Sequence, residues 1–207
     1  MIKAATALIA SSLLLAGCAA YQDEPQSVPL SGVETIAFDK AGAVSAADPR
    51  AQAAGEAILA QGGSATDAAI AVMLALTVVE PQSSGIGGGG FMIHAGDDTL
   101  TTFDGRETAP ASATGTRFLD ESGERLPAET RVTSGLSVGV PGNLALAAKA
   151  HAQYGRLPWA DLFEPAIALA RDGFVMNRRL NQSLSERPDR AGKTEAARAI
   201  FFGADGE

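Results

Sequence analysis

Residues 68–79 carry no charged side chain and one hydroxyl, on Thr77. A helix apolar on every face belongs inside a protein. These 12 residues are too few to cross a bilayer, which takes about 20, so the stretch predicts a buried core helix. Ser64, with Asp67 three residues on, fits a capping box at its start. Upstream, Asp48 and Pro49 fit an N-cap and a first helical position. They predict a helix to about Gln61, stopped by Gly62-Gly63. Downstream, residues 91–95 and 99–103 read as two short strands joined through Gly96-Asp97-Asp98 as a tight hairpin.

The remaining pattern is plainer. Pro141-Gly142-Asn143 opens a helix through Tyr154, closed by Gly155. Pro158 starts a short helix that Glu164, lying before Pro165, should break. A second helix then runs to Asp172, with Gly173 past its end. Residues 114–130 are polar and read as a surface excursion, and residues 178–199 as solvated helices and loops. Residues 36–47 have apolar runs consistent with a first strand or hairpin. Residues 19–35, rich in Gln, Asp, Glu, Pro and Ser, read as a tether. Pattern alone thus gives mixed α and β around an alanine-rich helix.

Between the apolar helix and the first strand of the hairpin lies Ser83-Ser84-Gly85-Ile86-Gly87-Gly88-Gly89-Gly90. Glycine serves where the backbone needs a positive φ or must approach another group closely. Gly85, Gly87 and Gly90 fit the spacing of the dinucleotide fingerprint. That site needs a strand before the glycines and a helix after them, so that a helix N-terminus meets the pyrophosphate. The order here is reversed, which excludes it. Ser83-Ser84 is no hydrolase elbow, since Gly-x-Ser-x-Gly is not present, and its expected task is to hydrogen-bond the turn.

Five blocks in order carry a family likeness. They are Gln61-Gly62-Gly63-Ser64-Ala65-Thr66-Asp67-Ala68-Ala69, Val78-Val79-Glu80-Pro81-Gln82 through the glycines to Phe91-Met92, Asp104-Gly105-Arg106-Glu107-Thr108-Ala109-Pro110, Gly135-Leu136-Ser137-Val138-Gly139-Val140-Pro141-Gly142, and Tyr154-Gly155-Arg156-Leu157-Pro158-Trp159 with Glu164-Pro165-Ala166-Ile167. Together they resemble the large-subunit region of the γ-glutamyltranspeptidases, or glutathione hydrolases. The resemblance implies an α/β (α+β) chain with part of the N-terminal-nucleophile hydrolase fold, a four-layer αββα arrangement. It implies a precursor that cuts itself before a threonine, whose hydroxyl then accepts the γ-glutamyl group while its own α-amine takes the proton. No threonine of the chain fits that role. Thr101-Thr102 is followed by Phe103-Asp104 and reads as strand β-branching. The nucleophile, the oxyanion hole and the groups holding the substrate amine are therefore expected downstream of Glu207, in a small subunit from the same precursor.

The resemblance carries one substrate residue onto this chain. Arg106 matches the arginine that binds the α-carboxylate of the γ-glutamyl group, and a guanidinium presents paired donors that suit a carboxylate. The competing reading is a surface Arg106 paired with Glu107. His94 and His151, the only histidines, have no carboxylate or cysteine cluster at ligand spacing, so no metal or other cofactor is expected.

Composition sets the compartment. Of 207 residues 46% are hydrophobic and 19% charged, which is not a disordered composition. The formal net charge of −8 argues against nucleic acid. Residues 1–17 read as a signal peptide, with Lys3 before an apolar run. Leu15-Ala16-Gly17-Cys18 looks like a bacterial lipoprotein cleavage box, making Cys18 the lipidated first residue of the mature chain and residues 18–35 a tether. With Ala19 after it, the resemblance favours the outer membrane, facing the periplasm. Cys18 is the only cysteine, so no intrachain disulfide can form. Residues 36–207 are then a partial large-subunit domain. Asp205-Gly206 is a turn signal one residue before the last, which suggests truncation. Unpaired sheet edges and uncovered apolar faces are expected to make this segment poorly soluble alone.

Three functions remain open on the sequence: γ-glutamyl transfer or hydrolysis by the complete protein, a related β-lactam side-chain acylase acting on glutaryl groups, and a non-catalytic lipoprotein binding module.

Overall fold

The computed structural model describes residues 26–29, 42–96 and 98–203. The expected signal peptide, Cys18 and most of the expected tether lie outside the described residues. So does half of the strand or hairpin expected over 36–47, whose described half, 42–47, holds no strand.

The core is the predicted apolar helix. α1 (Pro49–Ala60) and α2 (Ala65–Val79) pack against each other. Small residues bring the two together: Ala51 and Ala54 on α1 are buried against Ala75 and Val79 on α2. Gly55 on α1 leaves no room for more, since a Cβ there would lie 2.7 Å from Val72 Cγ2. The other side of α2 buries Ile70, Ala71 and Leu74 with Ile58, Ala147, Leu162 and Ala166. Each Ile or Leu among them stabilises the fold by about 1.5–3 kcal/mol on leaving water.

Both helix starts form as the sequence dictates. Ser64 Oγ accepts from Asp67 N (3.1 Å), and Asp67 Oδ2 accepts from Ser64 N (2.8 Å). Asp48 Oδ1 accepts from Arg50 N (2.9 Å). Asp48 does more than cap. Only 1% exposed, it takes two further bonds from the Arg50 guanidinium and one from Asn177 Nδ2 (3.0 Å), the N-cap residue of a much later helix. The Arg50 guanidinium holds the Asp48 carboxyl down at about 2, against the opposing effect of burial. A depressed carboxylate adds stability above its unfolded pKa and loses it as the group is protonated in the fold. Acid titration of stability should therefore show a loss between about pH 4 and about pH 2 that Asp48→Asn removes. Urea unfolding across that range checks it.

β2 (Gly90–Gly96) and β3 (Thr99–Gly105) form the predicted hairpin, with Gly96 opposite Thr99. A third strand, β1 (Gln26–Pro29), pairs antiparallel with β3 and gives the order β1-β3-β2. This corrects the tether at 26–29. Four residues show too little alternation to announce a strand, and it is the free edge of β3 that recruits them. Ser27 Oγ lies 2.9 Å from Thr101 Oγ1, which in turn lies 2.8 Å from the Tyr154 hydroxyl. Thr101 is thus a buried strand residue, 1% exposed. One face of β2 turns Met92 and His94 toward the helices, and His94 stacks on Tyr154 at 3.7 Å between ring centroids. The other face leaves Phe91 and Ile93 bare, 66% and 68% exposed.

After a short helix α3 (Ala128–Thr133), α4 (Asn143–Tyr154) covers β3 with Leu146 and Ala150 around Phe103. α5 (Glu164–Asp172) follows a 3-10 segment, Trp159–Phe163, without the break expected before Pro165. Glu164 is helical, with φ −54° and ψ −43°. Pro165 falls in the first turn, where a missing N–H costs nothing. α6 (Arg178–Glu186), α7 (Pro188–Ala191) and α8 (Glu195–Phe201) are largely solvated, as expected. Leu180 is the exception, at 1% exposure.

Candidate substrate-binding site

Arg106 follows the last residue of β3. Its side chain is 71% exposed, with Nε 3.4 Å from Glu107 Oε2. Its backbone N donates to Asp104 Oδ1 (2.8 Å), which fixes the turn off the strand. Within this chain the Arg106–Glu107 pair of the competing reading is therefore present. At such exposure it is a weak contact of about 0–1 kcal/mol, and it leaves the other guanidinium nitrogens open to a ligand.

The glycine-rich turn packs on the same junction. None of its glycines has a positive φ; among the described residues those that do are Gly42, Gly62, Gly123 and Gly173. Of the two uses of glycine, the one realised is close approach. A Cβ on Gly89 would lie 2.5 Å from Gly105 O and 2.7 Å from Glu107 N. Gly142 also abuts the Gly105 carbonyl. The peptide groups flanking Arg106 thus pack against the glycine turn and the start of α4. The turn itself is tied by Gly142 N and Asn143 N donating to Gly88 O (3.1 Å each) and by Asn143 Nδ2 donating to Gly85 O (2.7 Å). A short bridge, Thr108 to Val140, continues the contact.

Two buried carboxylates hold distant segments together. Glu80, 3% exposed, pairs with Arg179 of α6 (3.2 Å), which also donates to Ser83 Oγ (3.1 Å). Ser83 thus bonds across to α6 and not only within its turn. Asp67 is fully buried and joins the α2 cap to residues ninety positions later: Oδ2 also accepts from Arg156 N (2.9 Å) and Leu157 N (3.2 Å). Burial pushes the Asp67 carboxyl up, but the backbone donors Ser64, Arg156 and Leu157 together outweigh it and leave it below the usual range. Asp67 Oδ1 has no hydrogen-bond partner and faces His151 Nε2 at 3.7 Å. His151 Nε2 lies 2.8 Å from Leu157 O, and His94 Nδ1 lies 3.1 Å from Thr66 Oγ1. Both histidines are thus engaged within the fold. Among the described residues no three His, Cys, Asp or Glu side chains gather as a metal site, and no helix is long and apolar enough to cross a membrane.

The blocks that the sequence offered as separate motifs thus meet in two groups: the glycine turn with residues 105–108 and 140–143 beside Arg106, and Asp67 with Arg156 and Leu157. That arrangement, and the sequence behind it, recur in known proteins. The γ-glutamyltranspeptidase family model matches residues 51–207. The chain belongs to the γ-glutamyltranspeptidase family. It is 42% identical over 201 residues to the glutathione hydrolase proenzyme of Bacillus subtilis, covering 95% of this chain and 34% of that protein. Its fold is similar to the γ-glutamyltranspeptidase of Helicobacter pylori, with a TM-score of 0.75, 35% identity, and coverage of 83% of this chain and 49% of that one. It is also similar to the cephalosporin acylase of Bacillus halodurans, with a TM-score of 0.65, 33% identity, and coverage of 83% and 31%. The chain spans about a third of the curated relative's length. The three strands and flanking helices are part of an N-terminal-nucleophile hydrolase domain.

Proposed function

We propose that the complete protein cleaves γ-glutamyl amides such as glutathione and passes the γ-glutamyl group to water or an acceptor amine. In this reading the chain supplies the scaffold and, through Arg106, the clamp for the substrate α-carboxylate. The attacking threonine comes from residues beyond Glu207, freed by self-cleavage as the first residue of a small subunit. Its hydroxyl attacks the γ-carbonyl, its amine takes the proton, and the leaving amine departs carrying a proton. Water or an acceptor amine then breaks the ester. Kinship with glutathione hydrolases supports the reaction class.

The observation that carries the reading is the setting of Arg106. The peptide groups on either side of it pack closely against Gly89 and Gly142 while its guanidinium reaches solvent. That is how a clamp differs from a structural arginine, which is buried or doubly paired. The structural similarity to a cephalosporin acylase supports a second reading, action on the side chain of a β-lactam. Arg106 suits both, because a glutaryl group carries its free carboxylate at the same distance from the scissile carbonyl and lacks only the α-amine; kinship with glutathione hydrolases favours the first. A third reading, a binding module without catalysis, predicts a stop codon after Glu207; an in-frame Thr-Thr-His-type segment there supports the enzyme. Steady-state assay of the complete protein on glutathione and on a glutaryl amide separates the first two.

For location we propose lipidation at Cys18 and anchorage in the outer membrane, facing the periplasm. Acyl chains stabilise attachment by about 0.8 kcal/mol per buried methylene. Fractionation should find the protein with membranes and Cys18→Ser in the soluble fraction. Unchanged partition of the variant would remove the anchor.

A further inference from the structure

Asn143 is a polar residue that is almost fully buried, 8% exposed, and touches the glycine turn at three points. Its Nδ2 donates to Gly85 O at 2.7 Å. Its backbone N donates to Gly88 O at 3.1 Å. Its Oδ1 would lie 2.9 Å from a Cβ on Gly90. The turn so held presses Gly89 onto Gly105 O and Glu107 N, the two neighbours of Arg106. Gly89 is also the close neighbour of Glu107 Oε2, the oxygen nearest Arg106 Nε.

We infer that Asn143 is a positioning residue for substrate binding: its amide fixes the glycine turn, and the turn fixes the backbone and carboxylate that aim Arg106. This rests on the reading of Arg106 as the carboxylate clamp. An exposed arginine has several rotatable bonds, so its fit to a carboxylate depends on where its Cα and its one tethering oxygen are held. A misplacement of about 1 Å far from the reacting atoms can cost up to about 10²-fold. The amide suits the task because one end donates to a carbonyl while the other lies against glycine backbone. An aspartate of the same shape would set a negative oxygen against Gly85 O and undo the bond.

The test uses the complete protein with a γ-glutamyl anilide and the matching γ-aminobutyryl anilide, which lacks the α-carboxylate. Asn143→Asp and Asn143→Ala should each raise KM for the γ-glutamyl compound about tenfold, with kcat within about twofold. The preference for the carboxylated compound should fall by the same factor. Adding Asn143→Asp to Arg106→Gln should cost nothing more. Equal losses on both compounds, or a lowered melting temperature with the preference intact, would make Asn143 a plain structural bracket and overturn the inference. Asn143→Ser, a smaller polar replacement that cannot reach Gly85 O as the amide does, carries the same readout if the other variants fail to mature. If Arg106→Gln itself spares the preference, the clamp falls and this inference with it. If Arg106→Gln abolishes the preference and Asn143→Asp keeps it, only the role of Asn143 falls.

Discussion

Arg106→Gln in the complete protein is expected to lower kcat/KM for γ-glutamyl substrates by about 10²-fold, chiefly through KM. Gln keeps the length and some hydrogen bonding but loses the charge and the forked donors. Removing one member of a hydrogen-bonded charge pair costs about 2–5 kcal/mol, and about 2.7 kcal/mol corresponds to 10²-fold. Arg106→Lys keeps the charge without the fork, so it should fall between wild type and Gln. Self-cleavage should continue at close to its normal rate, since it involves no substrate carboxylate. The fold should not change, because the Arg106 side chain is 71% exposed and its ion pair with Glu107 is worth little. Initial-rate kinetics and a gel of maturation measure both halves. An unaltered KM would remove Arg106 from the site.

Asp67→Ala should be the most destabilising single change in the described part of the chain, by about 3–5 kcal/mol. Three backbone N–H groups, of Ser64, Arg156 and Leu157, lose their acceptor at once. The first belongs to the start of the core helix, and the other two to the loop that delivers Trp159 and Leu162 to its flank. Asp67→Asn keeps an oxygen in place and should cost less than Ala. The lowered pKa of Asp67 gives the pH dependence its sign. Stability from this group is present above the ordinary aspartate range and is lost as acid protonates it, so the deficit of the Ala variant should shrink in acid. Chemical denaturation of the complete protein at neutral and acidic pH measures this.

What could be read in advance was local. The caps at Asp48 and Ser64, the uncharged helix after it, and the turn after Gly96 each place cause and effect within a few residues. Local reading failed where a distant partner decides. Asp67 was legible as a cap but not as the acceptor for Arg156 and Leu157, since no periodicity links positions 89 and 90 residues apart. The same holds for Asp48 with Asn177, and for Leu180, one apolar residue in a charged stretch that happens to face the core. β1 is four residues long, and only the open edge of β3 makes it a strand. At Pro165 a rule about the preceding residue gave way to the tolerance of a first helical turn. The glycines signalled close approach correctly. That Gly105 and Gly142 are what they approach needed the fold. Asn143 left no signal beyond its place at a helix start.

The central claim is a division of labour: this chain grips the substrate carboxylate, and residues after Glu207 attack the γ-carbonyl. Glutamate release from glutathione, measured on the purified complete protein and on residues 19–207 alone, tests it most directly. Turnover by the former and none by the latter is the expected result. Release by residues 19–207, with no longer product present, would contradict it.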